Sequence, residues 1–299
     1  MRTPSDMNRP VAVAGQKHFL INRSFGLLWT GQTISLIGSQ ITGGGLQIAA
    51  VLALQATPVQ MSLLAASSFI PTLAIGLLAG ALVDRLRRRP ILIMADLLRA
   101  LLLLLIPLAA LLGWLRIEYI YIITVLTSTL GVFFEVSYGA FLPTLLPAGR
   151  LVEGNSKLSA SESLAEIAGP SLAGLLIQIL TAPVAILFDS LSFLFSALFL
   201  GLIRIQEPKP LPTFPRTTLW REVREGWHFL WRHPLLRPLA ASSASSNFCG
   251  GTFVALYTLY IVRVLGLTPA VYGLLGTMAG AGALLGALVA ARLARHIRP

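Results

Sequence analysis

Long apolar runs separated by short polar or charged hairpins set the pattern of this chain from position 25 onward. Eight of them, at about 25–54, 60–83, 91–113, 117–142, 156–180, 183–203, 238–262 and 270–291, each hold the roughly 20 residues a helix needs to cross a bilayer. The pattern predicts an all-α multi-pass membrane protein. It divides into a polar N-terminal segment (1–24), a six-helix bundle (25–205), a soluble linker (206–237) and two spans that begin a second bundle (238–299). Between the second and third runs stand Gly80-Ala81-Leu82-Val83-Asp84-Arg85-Leu86-Arg87-Arg88-Arg89. An acid and four arginines do not belong in hydrocarbon, so this stretch must turn on one membrane face.

Composition agrees with the pattern: 55% of residues are hydrophobic and 12% charged, about half the charge of a soluble domain, and the mean hydropathy is +0.77. The net charge of +11 raises the question of nucleic acid, and its distribution answers it. With the N-terminus in the cytoplasm, 20 of the 23 lysines and arginines fall on the cytoplasmic face; Arg116 and Arg263 lie opposite, and Arg99 lies inside the third span. This is the positive-inside pattern of a cell-membrane protein, expected in a bacterial inner membrane, and it leaves no nucleic-acid partner to propose. Residues 1–24 are polar and hold no apolar core with a small-residue cleavage site, so no signal peptide is expected ahead of the first span. The lone Cys249 lies in an apolar run and reads as a small packing residue.

The linker opens with Pro208, Pro210, Pro212 and Pro215, which stiffen it and forbid helix. Beyond them Trp220, Val223, Trp227, Leu230 and Trp231 recur at helical spacing, opposite Arg221, Glu222, Arg224, Glu225 and Arg232. Such a helix either lies at the headgroups or packs on the base of the bundle. The second half echoes the first. Thr57-Pro58 with Leu63-Leu64 returns as Thr268-Pro269 with Leu274-Leu275, and Gly80-Ala81-Leu82-Val83 returns as Gly286-Ala287-Leu288-Val289, with arginines following each time. Parallel repeats of this kind are one transporter plan.

The stretch from Gly80 to Arg89, with Gly80, Asp84, Arg85, Arg88 and Arg89 at the motif positions, resembles the loop between spans two and three of the major facilitator superfamily. Phe134-Glu135, Leu142-Pro143, Leu146-Pro147, the run Ala168 to Gly174, Asp189 to Phe193, Glu225-Gly226-Trp227 and Arg232-His233-Pro234 resemble its branch of enterobactin exporters and macrolide efflux proteins. The resemblance covers nearly everything after Asn22. It implies a major facilitator fold: a complete six-helix half and the first two helices of the other, rocking about a central cavity between inward-open and outward-open states. It implies that Gly80 permits close helix approach and that Asp84 caps the eleventh helix. Gly169, Pro170 and Gly174 resemble the fifth-span motif of antiporters, a helix weakened at proline and packed through small residues; Ser161, Ala165, Gly169 and Ala173 form such a stripe. The alternative is an ordinary packing kink. A twelve-span relative would continue past Pro299, so the expectation is a piece of a longer protein or a separate chain that supplies further spans.

Acids inside spans are costly and tend to be paired or functional. Glu135, Glu162, Glu166 and Asp189 are the candidates for proton or substrate coupling, with the proton as the expected coupling ion. Asp96 and Arg99, three residues apart, read as a structural pair near the cytoplasmic surface. Glu162 and Glu166 share one helical face; Glu162 alternatively sits at the headgroups with Ser159 as its capping-box partner. Glu135 lies deep in the fourth span, where the arginine that many proton antiporters carry is missing. Asp189 reads as early in the sixth span, near the outer face, and as either functional or hydrogen-bonded. Gln32, Ser35, Ser39 and Thr42 stripe the first span, and Ser243, Asn247 and Gly250 the seventh; both stripes are candidates for cavity lining or for bonds between helices. Phe133, Phe134, Tyr138, Tyr257 and Tyr260 offer aromatic surface to a substrate or to neighbouring helices. No metal-ligand spacing, phosphate loop or nucleophile with an evident base is present, so neither enzyme activity nor a cofactor is expected. The functional expectation is proton-driven efflux of a small amphipathic drug, macrolide or siderophore; the alternative is a non-transporting assembly partner.

Overall fold

A computed structural model describes residues 22–205, 207 and 219–297 of the chain, so most of the expected N-terminal segment and all four linker prolines lie outside the described residues. Among these the chain runs α1 (Arg23–Leu52), α2 (Pro58–Val83), α3 (Arg88–Leu111), α4 (Ile117–Leu145), α5 (Leu151–Leu180), α6 (Ala182–Leu202), α7 (Leu219–Arg232), α8 (Leu236–Leu259) and α9 (Pro269–Ile297). A single 3-10 turn precedes α5, and a π turn, Tyr260–Val264, extends α8. Eight of the helices, all but α7, are long and apolar enough to cross a membrane, and they coincide with the eight predicted runs. Ends differ most at α5, which starts at Leu151 rather than 156. Ser159 therefore stands two turns inside the helix and cannot be a capping-box residue for Glu162.

Local chemistry explains several of the starts. Thr57 builds a capping box with Gln60: its N–H donates to Gln60 Oε1 at 2.8 Å, and its hydroxyl accepts from the Gln60 N–H at 3.3 Å, with Pro58 in the first turn. The echo Thr268-Pro269 opens α9 in the same register, with the Val271 N–H 3.5 Å from the Thr268 hydroxyl. The second echo diverges: Val83 ends α2, whereas Val289 lies inside α9, which continues to Ile297 through an alanine-rich stretch.

The six-helix unit closes on itself. α1 packs along α6 and α5, α3 along α4 and α6, and α2 along α4. Glycines at 31, 38 and 45 carry the α1–α6 contact. A methyl group at Gly31 would meet Phe199, one at Gly38 would meet Asp189 and Ser192, and one at Gly45 would meet Ile186. Their seven-residue spacing keeps one face of α1 against α6 over two heptads, and the absent side chains let the backbones approach. α8 then lies along α2 and α9 along α5. α7 touches α2 and α8, while Trp227, Phe229 and Trp231 are exposed; the side chains of Trp220, Arg221 and Glu222 lie outside the described residues. Cys249 is exposed on α8, a correction to its reading as a packing residue, because α8 buries little besides Ala255 and Thr258.

Candidate functional site

The basic hairpin defines one end of the bundle. After Val83, Asp84 continues in helical conformation with its N–H on the Gly80 carbonyl at 3.1 Å, and the chain turns into α3 at Arg88. Asp84, Arg85 and Arg87 are exposed, and a methyl group at Gly80 would meet nothing within 4 Å. The two arginines at the start of α3 reach across the bundle. Arg89 donates through Nε to the Leu200 carbonyl at 2.9 Å and through Nη2 to the Gly201 carbonyl, placing a cation on the C-terminal end of α6. Glu207 accepts from the backbone N–H of Arg88 at 2.9 Å and of Arg89 at 2.7 Å. Arg87 supplies no side-chain cap to α3, so Glu207 does, reaching across 118 residues of sequence. Glu207→Ala is expected to cost about 1–2 kcal/mol, the range of a lost cap. Thermal unfolding of the detergent-solubilised chain measures this, and an unchanged midpoint rejects the cap.

The fifth-span residues sit between two helices. Ser161, Ala165, Gly169 and Ala173 are buried toward α1: Ser161 accepts a hydrogen bond from Trp29 Nε1 at 2.8 Å, and a methyl group at Gly169 would strike Gln40. The adjoining face meets α9. Methyl groups at Gly174 and Gly273 would strike the carbonyls of Pro269 and Pro170 respectively, Gly276 lies against the Pro170 ring, and the Ser171 and Thr277 hydroxyls are 2.7 Å apart. Pro170 has no N–H to give the Glu166 carbonyl, and Gly280 of α9 faces that carbonyl: a methyl there would lie 3.8 Å from the oxygen. Glu162 and Glu166 are exposed.

At mid-span lies a charged cluster. Asp96 is fully buried and 3.7 Å from Arg99 Nη1, while Arg99, 12% exposed, has its Cζ 5.0 Å from the Phe134 ring centre and 5.1 Å from that of Phe193. The guanidinium is thus held between aromatic faces of α4 and α6. Gly131 of α4 makes room for it, since a methyl group there would lie 3.2 Å from Arg99 Nη2. Asp189 is buried with Oδ1 2.9 Å from Ser192 Oγ, and the neighbouring Ser190 donates to the Ala100 carbonyl at 2.7 Å. That bond puts Asp189 and Arg99 at one depth, near the middle of both α3 and α6. The expected positions, Asp96 and Arg99 near one surface and Asp189 near the other, are corrected accordingly: the helices run antiparallel, and their midpoints coincide. Glu135 is exposed on α4. The cation lacking in the fourth span is supplied to that side from α3.

Of the polar stripes, Gln32 and Ser35 are buried, and Gln32 bonds α6 by donating to Ser196 at 3.2 Å; Thr42 is half-buried, while Ser39, Ser243, Asn247 and Gly250 are exposed. Phe134 stacks on Tyr138 and Phe253 on Tyr257. Opposite the hairpin end, Thr258 of α8 binds Gln47 of α1 and, at 2.8 Å, Tyr272 of α9. Arg263 donates to the Ala56 carbonyl at 3.0 Å and to Gln55 Oε1 at 2.7 Å. These partners lie over 200 residues apart for α1 and α8, and no local pattern announces them.

Bilayer-length helices, a basic hairpin stitched across the bundle and ionisable groups at its centre define a multi-pass membrane protein. Residues 28–299 match the family described as Major Facilitator Superfamily, and the chain belongs to that family. Among curated relatives it is 31% identical to the multidrug efflux pump Tap of Mycolicibacterium fortuitum, over 66% of this chain and 51% of that protein. It is 23% identical to the uncharacterised transporter YvqJ of Bacillus subtilis, over 78% of this chain and 56% of that protein. Macrolide efflux protein A of Streptococcus pyogenes is 25% identical, over 89% of this chain and 65% of that protein. The chain thus spans about half the length of the first two.

Proposed function

We propose that the chain acts in proton-coupled efflux of small amphipathic molecules, a drug, a macrolide or a siderophore, by alternating access in the cell membrane with its N-terminus cytoplasmic. The observation that carries this reading is the charged cluster at mid-span, since charge in that position is expensive unless it is used. The similarity to the multidrug efflux pump Tap and to macrolide efflux protein A supports the efflux direction. Glu135, Glu162, Glu166 and Asp189 remain the proposed coupling acids, Gln32, Ser35, Ser39, Thr42 and Asn247 the proposed polar surface of the path, and Gly80 and Asp84 the gating pair. A second reading, an assembly partner for a separate chain, is favoured by the uncovered surface at Gly80 and Asp84.

The purified 299-residue chain, reconstituted in proteoliposomes under an imposed pH gradient, is expected to move a dye, a macrolide or a siderophore, and Glu166→Gln to slow it. A gradient that drives none of the three sinks the exporter reading for this chain and leaves the assembly partner.

A further inference from the structure

Two carboxyl groups and one guanidinium are packed into the contact between α3 and α6. Asp96 is 0% exposed and Asp189 1%. Charge counting decides what they carry. With both acids ionised, Arg99 neutralises one and leaves a full negative charge in the bundle centre, where an unpaired ion costs several kcal/mol. With one acid neutral, the trio has no net charge.

The polar contacts of the two acids differ. Ser192 Oγ lies 2.9 Å from Asp189 Oδ1 and 2.8 Å from the Asp189 backbone carbonyl, so its one proton serves the side chain only when it leaves the helix carbonyl. Among the described residues neither oxygen of Asp96 has a hydrogen-bond partner within 3.5 Å; the Ser196 hydroxyl acts on it from farther off, and its contact with Arg99, at 3.7 Å, is one of charge. Arg99 Nε, buried beside the cluster, has no hydrogen-bond partner among the described residues, and the Thr42 hydroxyl, buried there too, acts on Asp189 from beyond 3.5 Å. The cluster is thus held by charge more than by a closed hydrogen-bond network.

Among the described residues no other charge on the packed helices compensates the trio. α6 carries no charged residue but Asp189, and α1 none but Arg23 at its start. α4 contributes Glu135, with Glu118 in its first turn, and the remaining charges of α3 are Arg88 and Arg89 at the hairpin end. α5, which touches α6, carries the mutually paired Glu153 and Lys157 and the exposed Glu162 and Glu166.

We infer that Asp96 and Asp189 hold one exchangeable proton between them, with Arg99 as fixed counter-charge. Loading takes one proton from water onto a carboxylate oxygen, unloading returns it, and no other bond changes. The proton belongs to the pair rather than to either residue. The inference deepens the efflux reading by naming its proton site, and it rests on that reading only for what the proton drives.

Infrared spectroscopy of the full chain in lipid reads the site without transport. At neutral pH the wild type should show the C=O stretch of a protonated carboxylic acid, shifted in D2O and lost at alkaline pH. Asp96→Asn and Asp189→Asn should each abolish the band, because one acid then remains with one cation. Arg99→Gln should raise it roughly twofold, because both acids then hold protons, and Glu118→Gln should leave it unchanged. A folded wild type without the band overturns the inference whichever variants fold, and so does a band that survives both Asn substitutions. Dye transport without the band removes the proton site and leaves the exporter; the band without transport does the reverse.

Discussion

Arg99→Met is expected to destabilise the six-helix unit by about 3–5 kcal/mol, the range found when one partner of a buried ion pair is removed. Methionine fills the space between Phe134 and Phe193 with a flexible apolar chain of similar length, so packing is largely kept and the loss reports on charge. What remains is two buried carboxyl groups with no cation beside them, and the loss is the cost of protonating both from neutral water in place of leaving a charge unpaired. Arg99→Lys restores the charge without the planar group that lies against both rings, and should recover part of the loss. Thermal unfolding followed by tryptophan fluorescence measures the difference. A melting temperature within a degree of the wild type for Arg99→Met would show that the guanidinium does nothing for the fold.

Gly174→Leu should separate α9 from α5. The atoms a side chain would meet are the Pro269 carbonyl and the Gly273 backbone, which cannot turn aside as a flexible side chain does. Overpacking of this kind costs about 1–3 kcal/mol where neighbours can adjust, and more is expected against backbone. The contact can be read directly. In a Cys249→Ser background, cysteines introduced at Ser171 and Thr277, whose hydroxyls are 2.7 Å apart, should form a disulfide on mild oxidation, detectable by mass. Adding Gly174→Leu should abolish it. An equally fast disulfide in the leucine variant means that the glycine face is not what holds α9.

The helices were legible in the sequence because bilayer thickness imposes one length on all of them, and a charged hairpin such as Asp84 to Arg89 cannot be mistaken for a span. The linker helix was legible from its alternation of tryptophan and arginine. The buried face was legible where small residues recur, as along Ser161, Ala165, Gly169 and Ala173, but the helix it would meet was not. Depth was not. Asp96 and Asp189 were assigned to opposite surfaces by their distance from the nearest helix end; two antiparallel helices of similar length meet at their centres, a fact about pairing that one helix does not contain. Glu207 was missed for a related reason. The clue was a helix start, α3, whose N-cap is an arginine, and the residue that answers it arrives only after three further spans. The bonds of Thr258 and Arg263 join α8 to the first helix and the loop after it, so nothing in the local sequence of either marks the other.

The glycine face of α1 also has a consequence in time. Gln32 finds its partner Ser196 only 164 residues later. At roughly 5–20 residues synthesised per second, the first span waits on the order of 8 to 30 seconds for the sixth. During that interval Gln32, Ser35 and the glycine face have lipid, or an insertion factor, as their neighbour. The first helix must therefore be stable in the bilayer on its own while carrying a polar seam that suits it to company. Its folding is governed by the arrival of a distant helix, and the bundle closes last at the place where the chain began.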